Sequence, residues 1–193
     1  MENKQYDREA ALALLRKYVK SESLLKHALT VEAVMRHFAA LYHEEQDKWG
    51  LIGLLHDIDF EMYPEQHCFK TRSILAAENW PEEYIRAIES HGYKLVNDVE
   101  PITNLEKVLY TVDELTGLIA ATALLRPSKS ILDLSVKSVK KKWKQSSFAA
   151  GVNRSVIEDG AAMLGMSLDD VIAETIRGMQ KVADEIGLRG IVA

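Results

Sequence analysis

The stretch "LEKVLYTVDELTGLIAATALL", residues 105–125, decides how the chain is read. Advanced at about 100° per residue it is apolar on most of its circumference, which predicts a helix surrounded by others. Thr103-Asn104-Leu105-Glu106 opens it with a capping-box pattern, in which threonine and glutamate side chains each satisfy a free backbone N–H. Pro127 closes it. Asp113 stands inside this helix, with Leu109, Tyr110, Thr116, Gly117 and Ala120 as its neighbours at helical spacing. A carboxylate in a central helix is costly unless it is paired or bound to a cation. Gly117, one turn on, leaves room beside it. Two readings therefore stand side by side: pairing with an arginine or another helix end, and ligation of a metal. Glu114 points elsewhere and is expected to be solvated or salt-bridged.

Working outward, the same period recurs. Residues 7–20 place Ala11, Leu14, Leu15, Tyr18 and Val19 on one face, with Asp7 as N-cap. A long helix is expected over 23–43, capped by Ser23, and a shorter one over 47–55. Pro64 and Pro81 stand where helices can begin, and 81–91 stops at Gly92. A further helix covers 135–144, and Asn153 and Ser167 cap two more, the last reaching Gly187. Hairpin signals are missing. The expected fold is all-α, eight or nine helices in a single domain over 1–193.

The chain has 193 residues, 47% hydrophobic and 27% charged, which suits one folded domain with a substantial core. A net charge of -5 does not favour nucleic acid or an anionic membrane as partner. Cys68 is the single cysteine, so neither an intramolecular disulfide nor a thiolate metal cluster is expected. The N-terminal "MENKQYDREA" has no apolar core of a secretory signal, and no apolar run approaches a membrane span, so a cytoplasmic location is expected.

The histidines are the informative polar residues. In the helix over 23–43 the apolar stripe is Leu24, Val31, Val34, Met35, Phe38 and Tyr42. His27 lies within it, His37 at its edge and His43 away from it. His91 follows Tyr84, Ala87 and Ile88 on an inward face. His56-Asp57 ends the apolar run Leu51–Leu55. His67 shares a face with Lys70, Thr71 and Ile74, which leaves surface exposure open. Each has an ordinary reading: a core histidine bonded to a carbonyl, or one serving a helix C-terminus. A metal site would account for several inward histidines and aspartates with one cause.

The order His27 … His56-Asp57 … His67 … His91 … Asp113 resembles the HD superfamily of metal-dependent phosphohydrolases, most closely the small HDIG-type predicted hydrolases. "KHALTVEAVMRHFA" is similar to that family's first histidine helix, "GLLHDIDF" to its HD element, "HGYK" to its later histidine and "LYTVDELTGLI" to the helix with its last aspartate. The resemblance covers about residues 20–125, with a C-terminal helical extension over about 128–193. It implies a helical bundle with metal at its centre. His27, His56, Asp57 and Asp113 would hold a first metal. His67 and His91 would complete a second, bridged by Asp57. Where many relatives continue the HD pair with Ile-Gly-Lys, this chain has Ile58-Asp59-Phe60.

An imidazole and carboxylate set without sulfur suits one or two divalent ions, Mn²⁺, Fe²⁺, Co²⁺, Ni²⁺ or Zn²⁺, with Mg²⁺ also admissible. The implied activity is hydrolysis of a phosphate ester, of a nucleotide or another small phosphorylated metabolite, by a metal-activated hydroxide. Asp57 is expected to position that water. Asp59, with Asp57 a catalytic candidate, and Glu61 are candidates for supporting a metal ligand from behind or for proton transfer, against an alternative as solvated loop acids. Arg126, Lys129, Lys137 and Lys140 are candidates for binding the phosphorylated substrate, against a solvated amphipathic helix for the last two. Two other classes fit the same residues: an HD-type di-iron oxygenase, and a non-catalytic nucleotide-binding or sensor module. The sequence leaves the oligomeric state open.

Overall fold

The computed structural model describes residues 6–191; residues 1–5 of the polar N-terminal stretch lie outside the described residues. Among the described residues nine α-helices follow one another: α1 (Arg8–Tyr18), α2 (Glu22–Tyr42), α3 (Gln46–Leu55), α4 (Phe69–Ala77), α5 (Glu82–Glu89), α6 (Asn104–Leu124), α7 (Val136–Trp143), α8 (Arg154–Leu164) and α9 (Leu168–Gln180). Short 3₁₀ turns occupy Pro64–Gln66 and Ser90–Gly92. The fold is all-α: among the described residues extended pairing is limited to one isolated bridge between Tyr93 and Asn97. No helix among them is long and apolar enough to cross a membrane.

The two longest helices, α2 and α6, pack against each other and organise the rest. α3 and α9 lie on α2, and α5, α7, α8 and α9 all reach α6. The all-round apolar pattern of 105–125 accounts for this, since Leu105, Val108, Leu109, Val112, Leu115, Leu118, Ile119 and Ala123 are all buried. Close helix approach depends on glycine. A Cβ on Gly53 would lie 2.8 Å from Met35 Cγ and 3.1 Å from the Val31 carbonyl, so α3 sits nearly on the backbone of α2. One on Gly178 would lie 2.8 Å from Val34 Cα, bringing α9 equally close to α2.

The caps form where the sequence places them at Asp7, Thr103, Asn153 and Ser167, and Thr103 and Glu106 make the full capping box. Two boundaries differ. α2 begins at Glu22 with Ser21, not Ser23, at its N-cap, and Ser21 makes no side-chain cap bond. Its start is held instead by Glu61, whose carboxylate accepts the N–H groups of Lys20 (2.8 Å) and Ser21 (3.0 Å). A distant acid thus replaces the local hydroxyl. α9 ends at Gln180, short of Gly187. From Lys181 the N–H groups of Lys181, Val182 and Ala183 reach back three residues, to Gly178, Met179 and Gln180, so the chain tightens out of α geometry before Gly187 turns it with φ +74°.

A candidate metal centre

Five segments bring their polar ends together at the middle of the bundle. α2 supplies His27, and the end of α3 supplies His56 and Asp57. The loop before α4 supplies His67, the 3₁₀ turn after α5 supplies His91, and α6 supplies Asp113. His27 Nε2 lies 2.9 Å from Asp113 Oδ1 and 3.1 Å from His56 Nε2, which itself lies 3.2 Å from Asp113 Oδ1. Asp57 Oδ2 faces this pair, 3.4 Å from His56 Nε2 and 3.6 Å from His27 Nε2. Its other oxygen, Oδ1, faces the second pair, 3.5 Å from His67 Nε2 and 3.6 Å from His91 Nε2, and those two nitrogens are 3.1 Å apart.

The far sides of the rings fix which nitrogen is free. His56 Nδ1 donates to the Gly53 carbonyl at 2.8 Å, and His91 Nδ1 donates to the Ile88 carbonyl at 2.5 Å. His67 Nδ1 donates to Asp59 Oδ1 at 2.8 Å, and the other oxygen of Asp59 accepts the Thr71 N–H at 2.8 Å. A neutral imidazole with its hydrogen on Nδ1 presents a bare lone pair at Nε2. Lone pairs 3.1 Å apart repel unless a proton or a cation lies between them. The spacing suits a cation: bonds of about 2.1 Å place neighbouring ligand atoms about 3.0 Å apart in an octahedron and about 3.4 Å in a tetrahedron.

Burial acts to lower the pKa of His56, but Asp57 and Asp113 outweigh it and push it up to about 10. Burial acts to lower His67 too, but Asp59, Cys68 and Asp57 together outweigh it and push it up to about 9. His91 is raised as well, its burial overcome by Cys68 and Asp57. Burial acts to raise Asp57 and Asp113, but the surrounding histidines, His56 foremost, together outweigh it and hold both well below the usual carboxylate range. The centre therefore holds positive charge strongly, as protons or as a metal that displaces them.

The family model for the HD domain matches residues 24–118, about half of the chain and a span that contains all six converging residues. The chain belongs to the HD superfamily. HD domains are in general metal-dependent hydrolases, and the residues present here fit a divalent cation by donor type and spacing. No curated protein and no solved structure matched the chain. The last part of α6 and all of α7, α8 and α9 lie beyond the HD match.

Around this HD centre several residues stand elsewhere than the sequence suggests. His67 is drawn into the cluster rather than left at the surface, because Asp59 anchors its ring. Asp59 itself is no solvated loop acid: it is fully buried, with both oxygens engaged. Its contact with the cluster is through His67, which is the supporting one of the two roles the sequence offered it, the other being proton transfer. Glu61 is exposed and holds the start of α2, which leaves it no proton-transfer geometry. His37, expected at the edge of its helix, is buried and meets Glu174 Oε2 at 2.8 Å, because α9 covers that side of α2. His43 is exposed as expected. Glu114, expected to be solvated or salt-bridged, accepts the Asn153 N–H at 2.9 Å and ties α8 to α6; its pKa is raised, first by burial and then by Asp113.

The candidate substrate cations are not brought to the cluster. Arg126 forms a two-point pair with Asp133 (3.2 and 2.8 Å). It follows the end of α6, and the eleven residues from Asp113 to Leu124 span roughly 16 Å of helix. Lys129 is exposed in the following turn. Lys137 and Lys140 line an open groove of 710 Å³ with Lys141 and Lys144, and Lys140 pairs there with Asp169 at 2.6 Å. Cys68 is the functional neighbour that helix-face reasoning missed: it sits in a loop, where no period indicates direction, yet its sulfur lies 3.8 Å from His91 Nε2. The only sequence signal is its adjacency to His67.

Proposed function

We propose that this protein is a phosphohydrolase of the small HDIG type. It would use one or two divalent transition-metal ions to cleave a phosphate ester of a nucleotide or other small phosphorylated metabolite. One observation carries the reading. Three imidazoles whose Nδ1 hydrogens are already committed turn their Nε2 atoms, together with Nε2 of His27, onto two carboxylates at the centre of the fold. His27, His56, Asp57 and Asp113 would hold the first ion, and His67 and His91 a second, with one oxygen of Asp57 turned to each. A bound cation would acidify a water and draw charge from a phosphoryl oxygen.

The chain's own contribution is positioning. The Gly53 and Ile88 carbonyls and Asp59 lock the His56, His91 and His67 rings, so ligand geometry needs no reorganisation during turnover. Asp57, already turned to both sites, is the carboxylate placed to orient a water between them. The lysines of the α7 groove would act at a distance, raising the local concentration of an anionic substrate in a molecule of net charge -5.

Purification without chelator followed by metal analysis, with a phosphate-release panel of nucleotides and phosphoesters, tests the reading. Bound metal and release that is lost in His56→Ala support it. Iron with oxygen consumption and no phosphate release would favour the di-iron oxygenase, and nucleotide binding without turnover in the metal-loaded protein would favour the sensor module. Absence of bound metal under every condition would sink the proposal.

A further inference from the structure

Cys68 stands beside the second histidine pair in a way that no carboxylate–imidazole ligand set anticipates. Its sulfur, a ring nitrogen of His67 and a ring nitrogen of His91 all lie within 4.8 Å of one another. The thiol is buried, and the Cys68 backbone takes φ 67°, a conformation that residues with a side chain rarely adopt. Gly92, next to His91, makes the space: a Cβ there would lie 2.7 Å from Cys68 Sγ. His91 is itself buried, with Nδ1 held by the Ile88 carbonyl, and its Nε2 faces His67, Cys68 and Asp57.

The spacing is compatible with ligands that share one ion. With metal–sulfur bonds of about 2.3 Å and metal–nitrogen bonds of about 2.05 Å, a tetrahedral ion sets sulfur and nitrogen about 3.6 Å apart and two nitrogens about 3.3 Å apart. The structure has 3.8 Å between Cys68 Sγ and His91 Nε2, and 3.1 Å between the two nitrogens. An octahedral ion with the same bonds would draw sulfur and nitrogen to about 3.1 Å, further from what is seen.

We infer that Cys68 is a thiolate ligand of the second site, which is thereby a His67–Cys68–His91 centre completed by Asp57 Oδ1. The inference rests on the metal-binding reading above and goes beyond it. The two sites differ in kind. The first offers nitrogen and oxygen, suited to Mn²⁺ or Fe²⁺ as well as Zn²⁺. The second offers nitrogen and sulfur, which favours a thiophilic, tetrahedral ion, Zn²⁺ above all. Binding releases the thiol proton to solvent and forms a metal–sulfur bond, with no change of oxidation state.

Cobalt titration of the metal-free full-length protein tests this. Co²⁺ reports thiolate ligation by a sulfur-to-metal charge-transfer band in the near ultraviolet, separate from the visible ligand-field bands that any bound Co²⁺ shows. The expected result is two equivalents bound, with the charge-transfer band accompanying one of them. Cys68→Ser and Cys68→Ala should abolish that band, keep the ligand-field bands of the first equivalent, and weaken zinc at the second site by at least the roughly 10–100-fold typical of losing a supporting group. Helical circular dichroism checks that the variants fold. Cobalt bound without the charge-transfer band in the wild type, or a band that survives Cys68→Ala, overturns the thiolate assignment alone. No cobalt bound at all overturns the metal reading beneath it.

Discussion

Asp57 turns one carboxylate oxygen to His27 and His56 and the other to His67 and His91, so a single side chain joins the two halves of the centre. Asp59, two residues on, never meets that point, yet it fixes the His67 ring through Nδ1. Asp59→Asn keeps the shape and removes the charge. It should weaken metal at the second site by about 10–100-fold while leaving the first intact, as calorimetric titration would show. Equal affinity at both sites before and after would contradict the positioning role.

Protons compete for the same nitrogens. His56 and His67 are raised from an ordinary value of 6.5 to about 10 and about 9 in the folded chain. Their protonation therefore stabilises the metal-free fold fully below about pH 6.5 and fades as pH rises through 9 and 10. The depressed Asp57 and Asp113 contribute above their ordinary carboxylate range and lose that contribution only in strong acid. Melting of chelator-treated protein should thus fall in temperature on the alkaline side, and saturating metal should remove the fall, since the cation replaces the protons. A flat profile without metal would refute the assignment of charge to these rings. At this scale the sequence showed that His27, His91 and Asp113 face inward, because a helix fixes direction. It offered Asp59 as a candidate without a direction and was silent on Cys68 as a ligand, because the loop after α3 has no period to read.

The elements hold these side chains at fixed height. His56 ends α3, and α3 approaches α2 closely because Gly53 has no side chain. Gly53→Ala should cost about 1–3 kcal/mol, since the added methyl meets the Val31 carbonyl as well as the mobile Met35 side chain. It should also loosen metal binding, because the Gly53 carbonyl holds His56. Paired thermal melts with and without metal would separate the two effects. Thr103→Ala removes half of the α6 capping box and should cost about 1 kcal/mol with metal affinity unchanged, because Asp113 lies well inside the helix. The capping box is legible in the residue order itself, since both partners are local. The start of α2 is not: its cap is Glu61, whose pairing with Lys20 and Ser21 crosses forty residues of chain.

Across the whole molecule, helices on either side of the HD span share one core. Ala11 and Leu15 of α1, Phe38 of α2, Ile119 of α6, Ile157 of α8 and Met179 of α9 belong to one buried cluster. Thermal unfolding should be a single transition, and its midpoint should rise with metal: free metal a hundredfold above its dissociation constant adds about 2.7 kcal/mol. Separate melting of a C-terminal unit, seen by calorimetry, would contradict a shared core. What residue order alone established is the helical class, most boundaries, the central place of α6 and the inward direction of His27, His91 and Asp113, because these follow from periods and caps spanning a few residues. What had to come from packing is which inward side chains share a point, how one aspartate serves two histidine pairs, and that a buried acid and a cysteine support the second pair. Those relations join residues far apart in the chain, and a helical period carries direction without naming the partner it meets.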